Sequence, residues 1–94
     1  MNPMKLVSIL EFYRDELEEK EITPKPLIPN NWLAGCYDTH QILQHTAWIC
    51  KRATKLALKG KTEEAIQLLG LIQGLLFMAG EYTLDELAEH SKES

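Results

Sequence analysis

The chain has 94 residues, 45% of them hydrophobic and 26% charged, with a formal net charge of −4. That size bounds it to one domain with a modest core. The acidic balance excludes general nucleic-acid binding, which needs several Lys or Arg set along the phosphates, but it leaves room for one local anion site. Charge is unevenly spread: residues 51–61 carry five of the ten basic residues and no acid, whereas residues 11–21 carry six acids against two bases.

Asn2-Pro3 offers a helix N-cap with proline in the first turn. Leu6, Ile9, Leu10, Tyr13 and Leu17 then form one apolar stripe, so an N-terminal helix is predicted within residues 1–22. Its C-terminal acids oppose the helix dipole, and that end is expected to fray or to find a basic partner. TPKPLIP, residues 23–29, places three prolines in seven residues and predicts an extended connector over 23–31. LVSIL before Glu11 is too short for a secretory leader and no small-residue cleavage site follows it, so a cytoplasmic chain is expected.

The rest, 32–94, reads as a helical hairpin followed by a short helix. Asn31 or Asp38 could cap the second helix, with Gly35 a possible break, and Gly60 ends it. Thr62 is the expected cap of the third helix, whose first turn carries Glu63 and Glu64. The turn KGKT makes the two an antiparallel pair over about 38–60 and 62–79. Gly80 closes the third helix, and TLDE, Thr83 to Glu86, is a capping box that opens the last one. No strand alternation and no repeat occurs. The fold class is all-α: a small helical bundle in a single domain, 1–94.

On a helical wheel of the second helix, Ile42, Leu43, Thr46, Ile49, Cys50, Ala53 and Ala57 share one side. Trp48 falls on the other, with Gln41, Gln44, His45, Lys51, Arg52, Lys55 and Lys59. Three readings stand open. The N-terminal helix or PLIPNNWL covers Trp48 as a second core. A protein partner uses Trp48 and Arg52 as anchors. A small anionic nucleotide stacks on Trp48 while Arg52, Lys55 and Lys59 hold its phosphate, with Lys51 beside them. Lys55 and Lys59 also complement the helix dipole and need no ligand to explain them.

The third helix is apolar nearly all round: Leu68, Leu69, Leu71, Ile72, Leu75, Leu76, Phe77 and Met78 leave only a strip of Gln67, Gly70 and Gly74. Such a helix is usually buried on more than one side, and a chain this short has few helices to surround it. Self-association is therefore expected. Gly70 and Gly74, each costing about 1 kcal/mol relative to alanine, suggest a helix crossing there, within the chain or between chains, with Leu71, Leu75 and Met78 beside it. The apolar stretch Ala65 to Ala79 is shorter than the about 20 residues a bilayer span needs, so no membrane is expected.

Cys36 and His40, one turn apart, are a usable metal or thiol–imidazole pair. Cys50 lies about 21 Å further along a helix and cannot join the same ion within one chain. A buried structural thiol is its expected fate. No orienting group, oxyanion loop or glycine-rich phosphate loop accompanies the pair, so no enzyme, metal or cofactor is expected.

The run KTEEAIQLLGLIQGLLFMAGEYTLDELAEH, residues 61–90, carries Glu64, Ala65, Leu69, Gly70, Ile72, Gln73, Gly74 and Gly80, then Thr83, Leu84, Asp85, Glu86 and Leu87. In that order it resembles a signature of small, mostly uncharacterised bacteriophage and prophage helical proteins, over about a third of the chain. The resemblance implies a phage accessory protein working in the host cytoplasm. Proteins of that class bind and block a host defence component or sequester a nucleotide signal. It brings no catalytic residue with it. The function expected is non-enzymatic: an oligomer that binds a host protein, with a nucleotide sponge on the same face as the alternative.

Overall fold

A computed structural model describes residues 1–27 and 37–92 and contains four helices and no strand among them. They are α1 (Pro3–Glu19), α2 (Thr39–Leu58), α3 (Thr62–Met78) and α4 (Leu84–His90). The all-α hairpin bundle read from the sequence is what the chain forms. No helix among the described residues is long and apolar enough to cross a membrane.

At the start of α1, the Asn2 side chain accepts the Met4 amide at 2.8 Å, with Pro3 in the first turn. Leu6, Ile9, Leu10, Tyr13 and Leu17 are its buried residues, the stripe its periodicity indicates. Its acidic end does not fray. The Glu21 amide donates to the Glu18 carbonyl at 2.9 Å and the Ile22 amide to the Leu17 carbonyl at 3.0 Å. That is a Schellman closure with Ile22 packed underneath, and Glu21 takes the left-handed position at φ 61°. Backbone pairing and one apolar contact outweigh the dipole and the absence of glycine.

Of the two candidate caps for α2, Asp38 serves: it accepts the Gln41 amide at 2.7 Å, and the Gln41 side chain accepts the Asp38 amide at 3.0 Å. The expectations at Asn31, Gly35 and Cys36 lie outside the described residues. Leu43, Thr46, Ala47, Ile49, Cys50, Ala53, Thr54 and Ala57 are buried. The two threonine hydroxyls donate to the Ile42 and Cys50 carbonyls at 2.7 and 2.8 Å, so the stripe stays dry without an unpaired polar group. α2 is the middle helix, with α1 and α3 both packed on it, and its alanines let them approach closely.

Gly60 and Gly80 take φ of 83° and 77° and close α2 and α3 as expected. Thr62 does not cap α3. Lys61 is already the residue that completes the α2 closure, its amide donating to the Leu56 carbonyl at 2.9 Å. It is also the N-cap of α3, without a side-chain bond, and Thr62 is the first helical residue. The turn is too tight to leave the threonine outside the helix. Thr83 and Glu86 form the expected capping box of α4, at 3.1 and 2.9 Å.

Candidate functional site

Trp48 is half-buried and rests its indole against the edge of the core. His45, one turn before it, stacks nearly parallel at 5.9 Å and 15°. One turn after it, the Arg52 guanidinium carbon lies 5.8 Å from the ring centroid, within cation–π range. The i−3 and i+4 positions of one helix face thus bracket the ring.

The connector reaches the same place. The Lys25 amide donates to the Gln44 carbonyl at 3.0 Å, and the Leu27 amide to His45 Nδ1 at 3.0 Å. This second bond requires Nδ1 to be unprotonated. Burial acts in the same direction and holds the His45 pKa below its ordinary value. Pro24 then walls a shallow pocket of about 400 Å³ with Trp48, Lys51, Arg52 and Lys55. So chain does run beside Trp48, at Pro24, while most of the PLIPNNWL segment named in the core reading lies outside the described residues; the ring itself is half-buried.

Lys51, Arg52, Lys55 and Lys59 are all exposed. Among the described residues the ion pairs are Arg14 with Glu11 and Asp15, and Lys20 with Glu81; none involves these four cations. Lys51, Arg52 and Lys55 share the pocket with Trp48, whereas Lys59 is the C-cap residue of α2 and does not line it. A second groove of about 480 Å³ continues past Pro24 and Lys51 to Arg14, Glu18 and Glu21, so the basic face has an acidic border.

The third-helix residues fall differently. Only Ala65, Leu69, Ile72 and Leu76 are buried, which is one side of α3 rather than several. Leu75 is half-buried, while Gly70, Leu71, Gly74 and Met78 are exposed. A Cβ added at Gly70 or Gly74 would meet nothing within 4 Å, so among the described residues no helix crosses there.

A polar network that sequence reasoning missed fixes α4 to the bundle. Gln73 donates to the hydroxyl of fully buried Tyr13 at 3.0 Å and to Ser91 Oγ at 2.7 Å. The Tyr13 hydroxyl donates in turn to His90 Nδ1 at 2.8 Å. Tyr82 and Phe12 meet the His90 ring edge-on at 4.8 and 5.2 Å. Burial raises the Tyr13 pKa, and burial with Glu16 nearby pushes Tyr82 up to about 12. Both phenols stay protonated and act as struts. The signal available beforehand was a glutamine in the charge-free stretch of α3 and a tyrosine in an apolar stripe, since each needs a partner once buried.

Cys50 is fully buried, and burial pushes its thiol up to about 12, which suits a structural side chain. His40 is exposed. No group of three metal-ligating side chains occurs among the described residues. No protein-family model, no curated protein and no solved structure matches the chain.

Proposed function

We propose that this chain is a non-enzymatic binding protein of the phage or prophage accessory class. It works as an oligomer in the bacterial cytoplasm and docks a host protein, a defence component being the leading kind. The docking face is Trp48 with Lys51, Arg52 and Lys55, and Lys59 at its end. One observation carries this reading: a half-buried tryptophan is held ready by His45 and Arg52 amid cations that have no carboxylate partner among the described residues. Tryptophan and arginine are the commonest energetic anchors of protein interfaces. Their order before binding lowers the entropy cost of docking. The chemistry that fits is an acidic surface with an apolar centre.

A stacked nucleotide fits less well. A base needs a bare ring face, and His45 and Arg52 already bracket the indole. The two readings part in one experiment. A photo-crosslinking residue in place of Lys59 is used in host cells, alone and combined with Arg52→Glu and Lys55→Glu. The docking reading expects one host protein to be captured and then lost in the charge-reversed chain, whose melting curve stays cooperative. A nucleotide sponge would capture nothing and would instead gain about 2.7 kcal/mol of stability at a hundredfold ligand excess. Capture that survives both reversals would overturn the assignment of this face.

A further inference from the structure

Among the described residues, no element covers the side of α3 turned away from α2. Between Ala65 and Gly80 the chain has no ionisable side chain, so charge solvates none of this face. Leu71 is 48% exposed, Phe77 41% and Met78 76%. Gly70 and Gly74 lie open between them. An exposed mid-helix glycine costs about 1 kcal/mol relative to alanine, and nothing among the described residues accounts for two of them.

We propose that a second copy of this chain covers this face, through a two-fold antiparallel crossing of α3 on α3 centred at the level of Ile72. The register carries the proposal. Centring there sets Gly70 opposite the partner's Gly74, and Gly74 opposite the partner's Gly70. Each small residue therefore meets a small residue, and the backbones close at two points. Met78 falls at the level of the partner's Ile66, and Phe77 at that of the partner's Gln67. An isologous contact of this kind is self-complementary with no further requirement.

Charge selects the antiparallel sense. Around the N-terminal end of α3 stand Lys59, Lys61, Glu63 and Glu64, whose charges sum to zero. The other end leads into Glu81, Asp85 and Glu86, of which Glu81 alone is paired, with Lys20. An antiparallel pair sets each acidic end over a balanced end holding two exposed lysines. A parallel pair would set acid over acid. A single helix crossing sits at the small end of specific interfaces, under roughly 1,200 Å² in total, so the dimer is expected to depend on concentration. This deepens the oligomeric part of the proposed function. It rests on α3 and the charges at its two ends, and stands whether or not α2 docks a partner.

The test is the oligomeric state of the full chain from low to several hundred micromolar, by sedimentation equilibrium. The wild type is expected to pass from monomer to dimer. Gly74→Leu should remain monomeric throughout, with an unfolding midpoint at least as high, because the open space at Gly74 accommodates the side chain within one copy. Arg52→Glu should dimerise like the wild type. A wild type that stays monomeric, a dimer that survives Gly74→Leu, or one dissolved by Arg52→Glu would each overturn the proposal. Register is read by oxidation in a Cys36→Ser background. Chains carrying Gly70→Cys should cross-link to chains carrying Gly74→Cys, and neither to itself, since a disulfide needs Cα atoms about 4.4–6.8 Å apart. Self-linked Gly70→Cys chains would overturn the antiparallel arrangement.

Discussion

The two long helices of the hairpin turn opposite kinds of surface outward. On α2 the face around Trp48 carries Lys51, Arg52 and Lys55, and the indole among them is bracketed by His45 and Arg52 and flanked by Pro24. On α3, past the exposed Glu63 and Glu64 of its first turn, the outward residues are Gln67, Gly70, Leu71, Gly74, Phe77 and Met78, with no charge and no cover among the described residues. Long cations solvate a helix face and shield what lies between them, so α2 can keep a tryptophan on its surface. A helix without such residues must take its cover from another body. On the proposed reading, the contrast separates a face prepared for an occasional partner from a face completed by a second copy.

The largest expected effect lies on the α2-facing side of α3. Ile72→Ala should cost about 2–5 kcal/mol of unfolding free energy, whereas Leu71→Ala, one residue away on the outer side, should stay within about 0.5 kcal/mol in dilute solution. Equal losses in urea titrations would mean that α3 is buried on both sides within one copy. Next comes Trp48→Ala. A half-buried indole should cost about 2 kcal/mol and leave a cooperative fold. A loss near 5 kcal/mol would make Trp48 core and remove the distinction between the two helices.

Two backbone substitutions probe smaller terms. Gly74→Ala should stabilise the dilute monomer by up to about 1 kcal/mol through helix propensity. Glu21→Gly should gain a similar amount by relieving the left-handed strain at the end of α1. A thermal denaturation series compares them directly, and a loss at Gly74 would reveal an intramolecular contact on that face. The smallest effect is acid sensitivity of the Trp48 surround. Burial lowers the folded-state pKa of His45, so the unfolded chain takes up its proton first as pH falls. The stabilisation is complete above the ordinary histidine pKa of about 6.5 and is lost as pH falls from there through the lowered value. Amide exchange at Leu27, whose N–H the unprotonated Nδ1 accepts, should speed up at pH 5 relative to pH 8 beyond the intrinsic trend. His45→Gln should flatten that difference.

The helices themselves were legible. Asn2, Asp38, Thr83, Gly60 and Gly80 mark helix ends because capping is chemistry between residues a few positions apart. Two local signs misled. The crowded acids near the end of α1 pointed to fraying or to a basic partner, and Thr62 resembled a cap only because the tightness of the turn was not visible in composition. The cations around Trp48 were legible as a face, but Pro24 beside the ring was not, since it comes from a connector far back in the chain.

By itself the sequence determined the number, order and approximate ends of the helices and the side of α1 and α2 that faces inward. These follow from periodicity and capping, which act within one or two turns. Only the tertiary structure decided which side of the uniformly apolar α3 is buried. It also joined Tyr13 to Gln73 and His90, 60 and 77 positions away. The reason is that burial is a relation between elements. A helix apolar nearly all round carries little preference among its faces, so the choice waits for the helix that packs against it.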